Sequence, residues 1–195
     1  TYFLSFAAMA CGLMTKGPIA IVVVVLSFGT YFLYRRKWNK IFKWQYLVGL
    51  LTILILLIPM CIGLYQQFDL HPEKNLYNQT GISGLKFFFW TQSFGRITGD
   101  STWSEHGSFI FLLQNMLWSF APWILLFLVG WILKLKQIIK GKSIEEISFF
   151  GFTFTYIALA LSRYQLPHYI FVVFPFASII TAESLHEIRK KTRIE

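Results

Sequence analysis

Six side chains in this chain combine a suitable type with a position where an anion could be held: Lys16, Arg96, His106, Arg163, His168 and Tyr169. Lys16 stands in Thr15-Lys16-Gly17-Pro18, between two apolar runs. Pro18 suits the first position of a helix, and Gly17 allows a tight turn or the close approach of a ligand. A lysine there adds a point charge beside the positive end of the next helix, which suits a phosphate at headgroup depth. The same lysine could equally mark the interface by snorkelling. Arg96 follows an aromatic run in Phe94-Gly95-Arg96-Ile97 and carries a permanent, bidentate phosphate-binding group. Asp100, Glu105 and His106 lie close together, offering a base and an imidazole, or simply a solvated loop. Arg163 and His168 flank Gln165-Leu166-Pro167, with Tyr169 one position further on. All three could hold a ligand or anchor the chain at an interface. The chain shows no nucleophile motif, no phosphate-binding glycine loop and no metal-ligand spacing, so no metal or nucleotide site is expected.

The elements that position these residues follow from composition. The 195 residues contain only 14% charged side chains, against 19% aromatic, with 21 Phe. Mean hydropathy is +0.55. A water-soluble chain of this length could not hide that much apolar surface. Disorder, coiled coil and collagen are excluded on the same ground. The expected fold is all-α, a polytopic transmembrane helix bundle with about six spans. They are read at 2–14, 18–34, 45–65, 109–133, 147–161 and 166–185. Pro175 predicts a kink within the sixth. Cys11 and Cys61 both fall inside apolar runs and read as packing residues.

The net charge of +9 would raise nucleic acid as a partner in a soluble protein. Here its distribution has a simpler cause. Thirteen of the 18 basic residues lie in 35–44, 134–146 and 186–195, all an even number of crossings apart. The other five (Lys16, Lys74, Lys86, Arg96 and Arg163) fall on the opposite side. This alternation predicts cytoplasmic loops at 35–44 and 134–146, a cytoplasmic tail at 186–195 and an external loop at 66–108. Nucleic acid is therefore not expected as a partner, whereas membrane lipids are. Within the external loop, 85–94 reads as an amphipathic helix lying at the interface. The chain opens on an apolar run with no basic region before it, which reads as an entry in mid-membrane with sequence missing upstream.

Three stretches, in this order and on a common external side, resemble a known family. Gly12-Leu13-Met14-Thr15-Lys16-Gly17-Pro18 is similar to its Leu-Thr-Lys-Gly turn. Residues 87–123 are similar to its external aromatic loop, with Arg96 after the aromatics, then His106, then Ala121-Pro122-Trp123. Residues 162–175 are similar to its Ser-x-x-Lys-Leu-Pro-x-Tyr segment. The chain thus resembles the integral-membrane glycosyltransferases that use polyprenyl-phosphate sugars, in particular the lipid A aminoarabinose transferases and protein O-mannosyltransferases. It departs from them at Gln165, where the family carries Lys, and at Gly107-Ser108, where a Pro would follow the loop His. The family's catalytic acids lie in a first external loop that has no counterpart here, so no catalytic residue is assigned.

The resemblance implies an inverting glycosyltransferase that moves a sugar from a polyprenyl-phosphate donor to a lipid or protein acceptor. The transfer would occur at the external face of a bacterial inner membrane, without cofactor. It places Lys16 and Arg96 at the lipid phosphate, with His106, Arg163, His168 and Tyr169 as further substrate-binding candidates. It also implies that this chain alone is inactive. A polytopic transporter or lipid flippase, or a non-catalytic lipid-binding subunit, is the alternative that the same basic residues allow.

Overall fold

A computed structural model describes residues 2–74, 80–91, 95, 108–143, 145–162 and 165–192. Among them every regular element is helical and there is no strand. Among the described residues, eight helices, besides the short one at Trp38–Ile41, carry the fold. They are α1 (Tyr2–Lys16), α2 (Ile19–Tyr34), α3 (Trp44–Leu64), α4 (Gly84–Lys86), α5 (Phe109–Ser119), α6 (Ile124–Ile139), α7 (Ile147–Ala160) and α8 (Phe174–Thr192). Two helical stretches, Trp38–Asp69 and Pro167–Lys190, are long and apolar enough to cross a membrane. Three shorter apolar helices accompany them: Ile19–Tyr34, Phe109–Ser119 and Ile147–Ala160. Along α3, Leu47, Leu50, Leu51, Leu54, Ile55 and Ile58 are all exposed. A continuous leucine and isoleucine face of this kind is stable against lipid tails and not against water.

The chain divides into two compact units. Unit 1 comprises Thr1–Val22 and Lys37–Ser104. Its core is the seam where α1 meets α3: Ala10 and Leu13 bury themselves against Ile53 and Leu57. Gly49 makes this close approach possible, since a Cβ there would stand 2.2 Å from the Phe6 ring. At the tip of the α1–α2 hairpin, a Cβ on Gly12 would meet the Ala20 Cβ at 3.0 Å.

Unit 2 comprises Val23–Arg36 and Glu105–Glu195. Here α7 is the central helix, packed by the second half of α2, by α6 and by α8. Phe127 meets Phe152 at 4.6 Å between ring centroids, and Trp131 stacks on Phe149 at 5.3 Å. The Trp131 indole N–H also donates to Thr153 Oγ1 at 3.1 Å. Small residues let the backbones close in. A Cβ on Gly130 of α6 would lie 1.9 Å from Ser184 Oγ and 3.2 Å from the Ile180 carbonyl of α8. A Cβ on Gly151 of α7 would lie 2.7 Å from Ser27 Oγ of α2.

Three details differ from the span pattern read in the sequence. The segment 109–133 is two helices, α5 and α6, interrupted at Phe120–Trp123. Pro122 lacks the N–H that a continuing helix needs, and it disfavours helical geometry at Ala121. Beyond this break α6 runs on to Ile139, so Lys134 lies on a helix. In the last segment the helix type changes beside Pro175. A 3-10 turn over Pro167–Val173 gives way to α-helix at Phe174, one residue before Pro175, which brings no N–H to the helix there.

Candidate functional site

In unit 1, Lys16 is the last residue of α1. Gly17 follows at φ 70°, a left-handed conformation that ends the helix, and its N–H donates to the Leu13 carbonyl at 2.8 Å. Pro18 then leads into α2. The N–H groups of Ala20, Ile21 and Val22 already donate to the carbonyls of Gly17 and Pro18. These three amides are therefore occupied, and the ammonium of Lys16 is the charged group that the turn offers to an anion. Lys16 is exposed and has no ion pair among the described residues. Its charge also complements the negative C-terminal end of α1.

The aromatic helix of the long loop is fastened to the end of α3. Asp69 Oδ2 accepts from the Gly84 N–H at 3.0 Å, while Gly84 approaches Phe68 and the Leu64 carbonyl too closely for a side chain. Ser83 caps α4, its Oγ accepting from the Lys86 N–H at 3.3 Å. A π-helical turn over Phe87–Thr91 continues α4, and Phe89 packs on the unit 1 core. Of the stretch 85–94 read as a helix, residues 85–91 are helical, and 92–94 lie outside the described residues. Arg96 and His106, with Asp100 and Glu105, lie outside the described residues.

In unit 2, the α7–α8 junction carries His168 and Tyr169; Arg163 lies outside the described residues. Leu166 is extended, as expected before a proline, and Pro167 opens the 3-10 turn. Ile170 and Val173, both fully buried, anchor this turn. His168 is exposed, Tyr169 is half-buried, and their rings meet edge to face at 5.0 Å. Gln165 is buried. Its Nε2 donates to the carbonyls of Ala160 (2.9 Å), Ser162 (3.1 Å) and Leu159 (3.4 Å), capping the end of α7. Its Oε1 is buried with no partner among the described residues.

Sequence reasoning missed a polar cluster at the other end of α7. Lys134 is buried and its ammonium is held by Glu145, by Glu183 and, at 3.1 Å, by Ser148 Oγ. Burial pushes the Glu145 carboxyl up. Hydrogen bonds from Lys134 and Ser148 outweigh this and hold it below the ordinary glutamate range. Nearby, Arg35 forks onto Glu146 with two bonds of 2.7 Å and also reaches the Ser143 carbonyl at 3.3 Å. A signal was present: Glu183 is a lone acid within the apolar 166–185 stretch, and such an acid calls for a cation.

Lys16 belongs to unit 1, His168 and Tyr169 to unit 2. Among the described residues no group of three His, Cys, Asp or Glu side chains could hold a metal ion. No curated protein and no solved structure matches the chain significantly. Residues 1–75, less than half of the chain, match the family model of dolichyl-phosphate-mannose-protein mannosyltransferases. The matched stretch takes in α1, the Lys16 turn, α2 and α3. It supports a GT-C-type membrane glycosyltransferase that uses a polyprenyl-phosphate sugar donor.

Proposed function

We propose that this chain forms part of an inverting glycosyltransferase working at the external, periplasmic face of a bacterial inner membrane. The acceptor is a lipid or a protein. The observation that carries this reading is Lys16: an exposed ammonium with no ion pair among the described residues, at the helix end that the Gly17 turn closes, inside the stretch that matches the mannosyltransferase family.

In the reaction, an acceptor hydroxyl oxygen attacks the anomeric carbon of the sugar. The bond from that carbon to the phosphate oxygen breaks, and the polyprenyl phosphate leaves with the electron pair. The carboxylate base implied by the family resemblance takes the hydroxyl proton. Lys16 and Arg96 meet the growing negative charge on the departing phosphate. His106, Arg163, His168 and Tyr169 are assigned to binding the phosphate or the sugar. Residues 66–108 form the external loop. Residues 35–44, 134–146 and 186–195 face the cytoplasm, in keeping with their basic residues.

Lys16→Gln and Arg96→Ala in the full-length protein test this assignment. Each removes one charged donor, and transfer should fall by about 10²- to 10³-fold. Membrane insertion should not change. A correctly inserted Lys16→Gln protein with wild-type transfer would remove Lys16 from the site.

A further inference from the structure

One end of unit 2 gathers basic side chains from α6, from α8 and from the segments that follow α2 and α6. α6 and α8 run parallel there: Gly130 faces Ile180 and Ser184, Lys134 joins Glu183, and Gln137 Nε2 donates to Glu187 Oε1 at 2.9 Å. At a rise of 1.5 Å per residue, Lys140 and Lys190 lie about 5 Å beyond that last contact. Lys136 and Arg189 lie within a turn of it. The end of α2 is tied to the same level, because the Tyr34 hydroxyl donates to the Ile138 carbonyl at 3.1 Å and Arg35 pairs with Glu146. This places Arg36 there, and Lys142 follows in the α6–α7 loop.

Among the described residues, the carboxylates at this end are engaged internally. Glu145 and Glu183 hold Lys134, Glu146 holds Arg35, and Glu187 accepts from Gln137. Arg36, Lys136, Lys140, Lys142, Arg189 and Lys190 are exposed and have no ion pair among the described residues. Immediately beside them, Leu133, Ile139, Leu185 and Ile188 are exposed apolar side chains on the same two helices. One of these helices belongs to a stretch long enough to cross a membrane.

We propose that this end of unit 2 is a docking surface for anionic phospholipid headgroups. The cations would contact the phosphodiesters, and the leucine and isoleucine margin would lie against the acyl chains. That apolar margin favours a lipid over a water-borne polyanion. The surface is independent of the transfer reaction and is testable without it.

The test follows thermal unfolding of the full-length protein in neutral detergent. The additives are phosphatidylglycerol, phosphatidylcholine and inorganic phosphate, each at matched concentration. Phosphatidylglycerol should raise the midpoint most, and added salt should shrink that gain. Each cation beside an anionic surface contributes about fivefold in affinity. A K136Q/K140Q/K142Q variant should therefore need on the order of 100-fold more phosphatidylglycerol for the same shift. R189Q/K190Q, on the other helix, should show a smaller loss in the same direction. It serves as the test should the triple variant fail to fold. An equal gain from phosphatidylcholine would overturn the proposal. So would an equal gain from inorganic phosphate, or a wild-type response in the foldable variants.

Discussion

Replacing Lys134 with Met tests the buried cluster in unit 2. Methionine keeps an unbranched, apolar stem of similar length, so the loss is mainly one of charge and hydrogen bonds. Removing one partner of a buried ion pair costs about 3–5 kcal/mol, because an uncompensated charge remains. Here the residual charges are not fully buried. The Glu145 side chain is 34% exposed and that of Glu183 is 43% exposed, so both regain part of their hydration. The cost is then about 2 kcal/mol. For a chain of this size that lowers the thermal midpoint by about 4–8 °C. The assay is thermal unfolding in detergent at neutral pH, run as a double-mutant cycle with Glu183→Gln. In the Lys134→Met background, Glu183→Gln should restore stability, because it removes one of two unpaired like charges. In the wild-type background it should cost stability. A Lys134→Met protein unfolding within about 1 °C of wild type would refute the reasoning. Purely additive effects of the two substitutions would refute it as well.

Gly17→Ala should lower stability by about 1–2 kcal/mol, since an L-residue would have to adopt the left-handed conformation at that turn. The thermal midpoint reads this directly, and Gly17→Asn should cost less because Asn tolerates that region better. Acid should loosen the Lys134 cluster. Glu145 is held below the ordinary glutamate range in the folded chain, so its contribution is complete above about pH 4.3. It is lost as pH falls through the lower folded-state value. The midpoint of wild type should therefore drop more steeply than that of Glu145→Gln below that pH.

Much of the helical framework is legible in the sequence because its signals are local. Apolar runs bounded by Arg35-Arg36-Lys37 and by Lys16-Gly17-Pro18 mark α1, α2 and α3 to within a few residues. The Gly17 turn follows from residue type alone. Lys16 is another matter: its position on α1, with the Ala20, Ile21 and Val22 amides already taken, depends on hydrogen bonding that spacing does not reveal. The break at Phe120–Trp123 is hidden by the apolar character of its flanks, although Pro122 was a local warning. The Lys134 cluster brings together residues 49 positions apart, and no local pattern encodes that. Gln165 takes the place of a lysine in the family pattern. Its amide serves three carbonyls at the end of α7, a role visible only once that helix has been built.

The central claim is transfer from a lipid-phosphate donor. The most direct measurement gives purified full-length protein a polyprenyl-phosphate mannose labelled in the sugar, together with an acceptor mixture. Product and free polyprenyl phosphate are then followed together. The account predicts their appearance in equal amounts, with no dependence on a sugar nucleotide. A folded protein that leaves the lipid-linked donor intact, or that takes its sugar directly from a nucleotide donor, would contradict it.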